Sequence, residues 1–189
     1  MDKLDLKMEE KLVYRMSVAD LIEIRHLLFY SSELKPSFDK LLKSTTFICL
    51  YNNDKQPPDI EYSLIGVMAV SHHDNEALFR FRKFAKRADH VFQESHFNYI
   101  QEAGFLCVHD RYKGRGLSKM LREKTFTLND GQLLDTFTVI REDNEKLRKT
   151  NARYGCIQRG KPFKSSRGDY NLVLYTREFT KATPELRKV

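Results

Sequence analysis

The most informative stretch of this sequence reads Phe105-Leu106-Cys107-Val108-His109-Asp110-Arg111-Tyr112-Lys113-Gly114-Arg115-Gly116-Leu117-Ser118-Lys119-Met120-Leu121. An apolar, strand-like segment runs into a loop with two glycines, and the loop leads directly into an amphipathic helix. Gly114 and Gly116 tolerate positive φ angles, which lets successive backbone N–H groups turn toward one point. The beginning of the helix adds unpaired N–H donors and the positive end of its dipole. The stretch therefore predicts a binding site for a diphosphate group.

Basic side chains flank this loop, and we expect them to add positive charge for further phosphates: Lys113, Arg115, Lys119 and Arg122. Two better-known phosphate loops are excluded. The chain has no GxxxxGK followed by Ser or Thr, and Lys119 stands where a GxGxxG loop needs its third glycine. A tight surface turn with solvated basic residues is the structural alternative. The strand before the loop, the helix after it and the aromatic ring of Tyr112 favour binding.

Hydrophobic periodicity predicts the elements on both sides of the loop. Strands are expected at 12–16, 46–51, 63–70, 98–108, 133–140, 157–163 and 170–176, and helices at 17–30, 37–42, 75–94, 117–128 and 144–154. Ser17 and Asp20 predict a helix cap, and Ala103-Gly104 predicts a bulge in its strand. Consecutive strands early and late indicate antiparallel hairpins, and the central β-α-β order implies one parallel pair. The order predicts a mixed α/β sheet with helices on both faces.

Composition limits the class of protein. The 189 residues carry a net charge of +7 and 12% aromatic side chains, which suits one globular domain. We expect a single domain over 1–189, with a core at about 11–178 and an extra basic helix at about 75–95. Three cysteines without paired spacing exclude a disulfide scaffold and a CxxC zinc site. With no apolar signal segment and no apolar run near about 18 residues, we expect a cytoplasmic protein that neither is secreted nor spans a membrane.

The loop motif resembles that of a known family. Arg111-x-x-Gly114-x-Gly116 is similar to Q/R-x-x-G-x-G/A, the hallmark of the GNAT superfamily of CoA-dependent N-acyltransferases, and it lies between a strand and a helix as the family requires. Val108 and Tyr112 match the wider family pattern Val-x-Pro-x-Tyr-x-Gly-x-Gly, whose proline is replaced here by aspartate.

A second signature and the element order extend this resemblance over most of the chain. Asn144 opens a helix that ends at Gly155 and is followed by Cys156, where the family more usually has Phe. The predicted elements from 11 to 176 also follow the family order. The resemblance implies a GNAT-like, mostly antiparallel central sheet with a parallel strand pair splayed at the CoA site.

The resemblance also implies acetyl-CoA as the acyl donor, and we expect no metal because the sequence offers no convincing set of ligands. Backbone groups at 106–108 would pair with the pantetheine amides, and amides at 113–118 would hold the pyrophosphate. Asn144 and Asn151 would lie near the pantetheine arm and the thioester. The implied cofactor-binding residues are Leu106, Cys107, Val108, Arg111, Tyr112, Lys113, Gly114, Arg115, Gly116, Leu117, Ser118, Asn144 and Asn151.

The resemblance suggests catalytic candidates as well. The family often uses a carboxylate on the strand before the loop as a base, which favours Glu102; it shares a strand face with Val108 if no bulge intervenes. An exposed structural Glu is the alternative. Asn151 occupies the position where the family often has a tyrosine acid, so Tyr154 is the nearest phenol. Tyr154 is the candidate acid, although it could instead only pack in the core. His109 could serve as the acid in its place. Asn151 could instead only hydrogen-bond the thioester, or the reaction could use no acid.

Two other kinds of chemistry are disfavoured. Cys107 lies between apolar residues and is expected to be a buried strand cysteine rather than a nucleophile. The histidines and aspartate that might suggest a metal lack ligand spacing, and we expect them to be solvated: His72, His73, Asp74, His90 and His96.

The segment at 75–94 is unusual beside the family, which commonly joins the corresponding strands by a short turn. Its basic face, with aromatic residues between the charges, could recruit an acidic protein, a nucleotide or RNA. The favoured alternative is a helix that covers the sheet with its arginines in solvent. No RNA-recognition or helix-turn-helix pattern is present, which disfavours nucleic acid as a partner.

The resemblance therefore implies an N-acyltransferase that moves an acetyl group from acetyl-CoA to a primary amine of a small molecule or protein by direct transfer. Two alternatives remain: a catalytically inactive CoA-binding module, or a basic nucleic-acid-binding protein that uses the helix at 75–94. The sequence leaves open the acceptor, the acyl chain length, the use of a general acid, the role of the segment at 75–95, and whether the chain is a monomer or a homodimer.

Overall fold

The computed structural model describes residues 4–32, 35–53, 63–71, 75–92, 100–125 and 135–178. Its packing divides the chain into two compact units. Unit 1 comprises Met1–Ser71 and Ala103–Thr127, and unit 2 comprises His72–Glu102 and Leu128–Val189. The expected single domain over 1–189 stays a prediction.

Among the described residues, seven strands form one sheet: β1 (Leu6–Leu12), β2 (Thr46–Asn52), β3 (Leu64–Ser71), β4 (Ile100–Val108), β5 (Asp135–Arg141), β6 (Ile157–Lys164) and β7 (Asn171–Arg177). Their order is β1-β2-β3-β4-β5-β7-β6. Strand β1 with β2, β2 with β3, β5 with β7 and β6 with β7 are antiparallel. Strands β4 and β5 are parallel, through pairs that join residues 100–102 to 135–137. The predicted mixed, mostly antiparallel sheet with one parallel pair is confirmed.

Within the ranges given above, five α-helices accompany the sheet: α1 (Val18–Ser31), α2 (Phe38–Leu42), α3 (Asn75–Arg87), α4 (Leu117–Thr125) and α5 (Glu145–Arg153). The predicted cap of α1 is confirmed as a capping box. The Ser17 hydroxyl accepts from the Asp20 N–H at 3.1 Å, and the Asp20 carboxylate accepts from the Ser17 N–H at 2.9 Å. None of the helices in the described part of the chain has the length and apolar character needed to cross a membrane.

In unit 1, helices pack on both faces of the strands. The α1 cluster contains Leu21, Ile24, Leu27, Leu28, Phe47, Cys49, Val67 and Ala69. Helix α4 packs on the other face of β3, where Met68 points because it lies between Val67 and Ala69. Thr125 Oγ1 lies 2.9 Å from Met68 Sδ, and Leu121 is fully buried. Because neighbouring strand residues point to opposite faces, these two sets of contacts define two layers of helix.

Unit 2 has its own apolar cluster, in which α3 packs on the strands. Its buried members are Phe81, Ala85, Ala88, Ile100, Phe137, Phe163 and Leu174. The apolar side of α3 is therefore in a core, while Arg82, Lys83 and Lys86 are exposed. This arrangement favours the interpretation of α3 as a helix that covers the sheet.

The predicted strand at 12–16 is wrong. Strand β1 lies earlier, and Val13–Arg15 forms a 3-10 turn in which the Val13 N–H donates to Thr45 O at 3.0 Å. Strand β1 was hidden by its charged residues, which an edge strand accommodates because one side faces solvent. The fold consequently begins before the predicted core limit of about 11.

The helix predicted at 75–94 is too long. Asp89 has a φ of 55°, and the His90 N–H donates to Ala85 O at 2.9 Å, which closes the helix after Arg87. This pairing is the usual C-terminal motif with a left-handed residue, here filled by Asp instead of Gly. Residues 93–94 lie outside the described ranges.

The irregularity in β4 lies one residue later than predicted. The strand continues through Ala103 and Gly104, and Phe105 has a φ of 46°, in the left-handed region. A non-glycine residue there interrupts the alternation of side chains along the strand. Glu102 and Val108 therefore do not share a strand face, so the spacing argument for Glu102 as a base fails and its role as a base stays a prediction.

Candidate functional site

The predicted glycine loop begins where β4 ends. The His109 N–H donates to Ile65 O at 2.8 Å, which attaches the start of the loop to β3. A 3-10 turn follows at Asp110–Tyr112, and the Tyr112 N–H donates back to His109 O at 2.9 Å. The loop thus leaves a core strand through a hydrogen-bonded turn, which fixes the position of the two glycines that come next.

Both glycines adopt the left-handed conformation that the sequence predicted. Gly114 has a φ of 84° and Gly116 a φ of 79°. A Cβ atom built on either residue would meet no heavy atom within 4 Å, and both residues are exposed. The backbone therefore has open space beside it, so a ligand can approach the amides closely.

Helix α4 begins directly after the second glycine. The N–H groups of Lys119 and Met120 donate to Gly116 O at 2.9 and 3.2 Å. The amides of Leu117 and Ser118 precede these donors and have no acceptor within the helix. Leu117 is buried, and this burial fixes the position of the first turn of α4. The positive end of the helix dipole lies at this turn, next to the loop. This geometry agrees with the diphosphate site that the sequence predicts, and the binding role stays a prediction.

The charged side chains at the loop differ in availability. The Lys113 ammonium contacts the Asp110 carboxylate and donates to Ser31 O at 3.2 Å, and this cation holds the pKa of Asp110 below its usual range. Arg115 and Ser118 are exposed on the loop and the first turn of α4. Of this group, Arg115 offers the loop a cation that stands in solvent.

Three further side chains of this region differ in burial and contacts: Tyr112, Arg122 and Arg111. Tyr112 OH accepts from Asn52 Nδ2 at 3.4 Å, and the guanidinium of Arg115 lies 5.7 Å from the Tyr112 ring centre. The expectation that Arg122 adds positive charge for further phosphates is wrong, because the residue is only 2% exposed. Arg111 is exposed. The loop tyrosine therefore joins the loop to β2.

The strand residues implied for pantetheine binding lie at the end of β4 in unit 1. Cys107 and Val108 are buried and Leu106 is half-buried. The Cys107 thiol lies 3.8 Å from Leu27 O, and burial raises its pKa to about 11. The prediction of a buried strand cysteine is confirmed, since a thiol in this environment is a poor nucleophile.

Unit 2 carries the three candidates on α5. Asn144 is the N-cap, and its Oδ1 accepts from the Leu147 N–H at 3.0 Å. Asn151 is fully buried, and its backbone carbonyl accepts from the Cys156 N–H at 3.0 Å. With Gly155 at a φ of 71°, this bond completes the predicted helix end. Tyr154 is half-buried at the C-cap. One helix thus holds all three side chains in fixed positions.

Glu102, the candidate base, has a partner that the sequence did not suggest. Its Oε2 lies 2.5 Å from Nε of Arg80, on α3. Sequence reasoning placed Arg80 on a solvent-facing basic surface. The contact of Arg80 with Glu76 at 2.9 Å follows from their spacing of four residues, but nothing in the sequence indicates a contact 22 residues away.

A cavity of about 370 Å³ lies beside α1 in unit 1. Its lining includes Ile22, Glu23, His26, Tyr30, Leu64 and His109. The Glu23 carboxylate accepts from the Ser63 hydroxyl at 3.1 Å. His109, an alternative acid candidate, therefore borders a largely apolar recess as well as the glycine loop.

No metal site is found among the residues that the structure describes: no three His, Cys, Asp or Glu side chains group there in a way that could hold an ion. His90 is half-buried, and burial lowers its pKa. The other candidates, His72, His73, Asp74 and His96, lie outside the described residues.

Comparison with known proteins rests on the fold. No protein-family model matches the sequence, and no curated protein matches it. Among solved structures, Arabidopsis thaliana NAA60 in complex with acetyl-CoA has a TM-score of 0.63 at 11% identity, over 92% of this chain and 100% of that one. Arabidopsis thaliana Naa50 in complex with the bisubstrate analogue CoA-Ac-MVNAL has a TM-score of 0.62 at 11% identity, over 93% and 100%.

A bacterial structure gives the same result. The Escherichia coli ribosomal-protein-S18-alanine N-acetyltransferase has a TM-score of 0.59 at 10% identity, over 91% of this chain and 94% of that one. These matches cover nearly the whole length of each chain and include the seven-stranded sheet with its parallel pair. The chain has the fold of the GNAT acetyltransferases.

Proposed function

We propose that this protein is an acetyl-CoA-dependent N-acyltransferase that acetylates a primary amine on a small molecule or a protein. One observation carries the proposal: two left-handed glycines, Gly114 and Gly116, with open space beside them, lie immediately before the N-terminus of α4. Backbone amides and a helix dipole that converge on open space bind a diphosphate group. The proposal includes a cytoplasmic location, which the three free, buried cysteines support.

The fold supports the choice of donor. Two structures with this fold contain acetyl-CoA or a CoA-based bisubstrate analogue, and the analogue carries a peptide. An acyl thioester and an amine acceptor are therefore the substrates that agree best with both the loop and the fold. Fold alone does not select the acceptor, because one fold serves many substrates.

The proposed reaction is a direct transfer within a ternary complex. The neutral amine attacks the thioester carbonyl, so that a C–N bond forms and the C–S bond breaks. The proton of the amine passes to the Glu102 carboxylate, directly or through water, and the departing CoA thiolate takes a proton from Tyr154 or from solvent. In this scheme the backbone at 106–108 aligns the donor, and the contacts of Asn144 and Asn151 with the donor stay predictions.

Calorimetric titration of the purified protein with acetyl-CoA, free CoA and ATP tests the donor assignment. We expect micromolar binding of both CoA forms and weak binding of ATP, because the loop and β4 together recognise more than a phosphate chain. Release of CoA thiol in the presence of short peptides and small amines then tests transfer. Flat titrations for all three ligands would contradict the proposal.

A catalytically inactive CoA-binding module is the second candidate. It is favoured by Asn151, which stands at the position of the family's tyrosine acid and is fully buried inside α5. This candidate predicts the same acetyl-CoA binding without release of thiol for any acceptor. The two measurements above therefore separate the candidates.

A further inference from the structure

Resting on the proposed function, we propose that Arg80 of helix α3 is a positioning residue that fixes the Glu102 carboxylate for its role as general base. The structure brings the two side chains into direct contact, with Arg80 Nε 2.5 Å from Glu102 Oε2. Both residues belong to unit 2, although they lie in different elements. A charge-assisted hydrogen bond of this length is among the strong ones.

The contact is built by the way α3 packs. Phe81, the neighbour of Arg80 in the chain, is fully buried and lies 5.3 Å from Phe137, ring centre to ring centre. Phe137 is in turn the partner of Glu102 in the parallel ladder between β4 and β5. Ile100, which shares a strand face with Glu102, belongs to the same apolar cluster as Phe81. Apolar packing therefore holds the guanidinium over the carboxylate.

Burial distinguishes Arg80 from the other basic residues of its helix. The side chains of Arg80 and Glu102 are 20% and 24% exposed, whereas Arg82, Lys83 and Lys86 are exposed. A pair that is mostly withdrawn from water is screened less by salt and holds its geometry better than a surface pair. Glu76 Oε1 contacts the same guanidinium at 2.9 Å and steadies it from within the helix.

This contact has a chemical consequence. A general base acts only within hydrogen-bond reach of the proton that it takes, so the orientation of the Glu102 carboxylate sets its efficiency. Arg80 holds one oxygen of that carboxylate and so restricts its rotation. Without Arg80, the carboxylate loses its nearest cation and its fixed direction, while the glycine loop of unit 1 keeps all its own contacts.

The test compares four variants by steady-state kinetics: Arg80→Ala, Arg80→Lys, Glu102→Gln and the double variant Arg80→Ala/Glu102→Gln. The assay follows CoA thiol release with a panel of short peptides that differ in their first residue. We expect Arg80→Ala to lower kcat roughly tenfold to a hundredfold, the range that misplacement of a catalytic group produces. The KM for acetyl-CoA stays at the wild-type value, and Arg80→Lys recovers part of kcat.

The double variant gives the decisive comparison. Because Arg80 acts through Glu102, the double variant is expected to be no slower than Glu102→Gln alone. Lys83→Ala is the matched control, since Lys83 lies on the same helix and is exposed. The melting temperature and the acetyl-CoA affinity of each variant distinguish a misplaced Glu102 carboxylate from an unfolded protein.

The possible failures are distinguishable. Two outcomes overturn the positioning role alone. One is a wild-type kcat in Arg80→Ala. The other is that Arg80→Ala lowers kcat by the same factor in the Glu102→Gln variant as in the wild-type protein. Wild-type kcat in Glu102→Gln overturns that role and the choice of base, and leaves the N-acyltransferase proposal intact. Absence of thiol release by the wild-type protein with every acceptor overturns the proposed function and this inference together.

Discussion

Gly116 and Gly160 share a left-handed backbone but differ in what surrounds them. Gly116, in the loop of unit 1, has a φ of 79°, and a Cβ atom there would meet nothing within 4 Å. Gly160, in β6 of unit 2, has a φ of 63°, and a Cβ atom there would lie 2.0 Å from Ala88 O. The first glycine leaves room for a ligand, whereas the second lets two backbone segments touch.

The difference shows that a left-handed backbone conformation does not by itself indicate the role of a glycine. At Gly160 the neighbouring Lys161 N–H donates to Ala88 O at 2.8 Å, so that the end of α3 is attached to β6. Next to Gly116, α4 begins at Leu117, and the space where a Gly116 Cβ would lie is open. Substitutions at the two positions should therefore damage different properties.

Gly160→Ala should have the largest effect on stability. The new methyl group overlaps a backbone oxygen that cannot move aside, and the left-handed conformation adds strain, so we expect a loss of about 3 kcal/mol or more in the free energy of unfolding. Gly168→Ala is the matched control, because Gly168 has a φ of 83° with no atom within 4 Å. Urea unfolding should give the control a loss of only about 1 kcal/mol. Equal losses would contradict the comparison.

Gly116→Trp should have the largest effect on binding. The indole fills the open space beside the amides, and we expect acetyl-CoA affinity to fall by roughly a hundredfold or more, which corresponds to about 2.7 kcal/mol. Stability should fall by only about 1–2 kcal/mol, the cost of a left-handed non-glycine residue. Calorimetry with Gly168→Trp as control measures the difference. An unchanged Kd would remove the loop from the binding site.

Acid should weaken unit 1 at a place remote in sequence from the loop. The Lys11 ammonium, and then the Ser17 hydroxyl, lower the pKa of Asp20 to about 2. Since the carboxylate has a lower pKa in the folded protein than its ordinary value of about 3.9, its stabilisation is complete above that value and is lost as the pH falls through about 2. We expect Asp20→Asn to remove about 1–2 kcal/mol at neutral pH and less at pH near 2.

Unfolding by urea at a series of pH values measures this effect. Asp89→Asn is the control, because the Asp89 carboxylate is exposed although Lys161 lowers its pKa. Exposed ion pairs contribute little, so the control should follow the pH dependence of the wild type. A parallel pH dependence in Asp20→Asn and the wild type would contradict the assignment. Binding at neutral pH should be unaffected by either change.

Gly66→Ala should have the smallest effect. A Cβ atom at this position of β3 would lie 3.1 Å from Leu121 Cδ1, which is the end of a flexible side chain and not backbone. Leu121 is nevertheless fully buried, so we expect a loss of about 1 kcal/mol in the free energy of unfolding. Gly66→Ala/Leu121→Val, which shortens the side chain, should recover part of the loss. A larger loss in the double variant would contradict this account.

Features with short-range causes could be predicted. The Ser17 cap, the glycine loop before Leu117 and the left-handed Gly155 each depend on residues within a few positions of one another. The order of strands and helices was also predictable, because periodicity is a property of each segment. These features were sufficient to indicate the fold that the solved structures share.

Features with long-range causes could not be predicted. Strand β1 is charged and is a strand because β2 lies beside it. Helix α3 is a local exception: its early end depends on Ala85 and His90, five residues apart, and little in the sequence indicates it because Asp89 adopts the left-handed conformation less readily than glycine. The left-handed Phe105 has no local signal, since bulky residues normally avoid that region.

The same division applies to the candidate site. Local chemistry alone predicted the left-handed glycine loop before α4, because glycine is the residue that adopts positive φ angles at little cost. The pairing of Arg80 with Glu102 depends on the packing of Phe81 against Phe137. The close contact at Gly160 depends in the same way on the position of Ala88, which is remote in sequence. The sequence determines interactions between residues that are near each other in the chain. Burial, and contacts between residues distant in the chain, are decided only by tertiary packing.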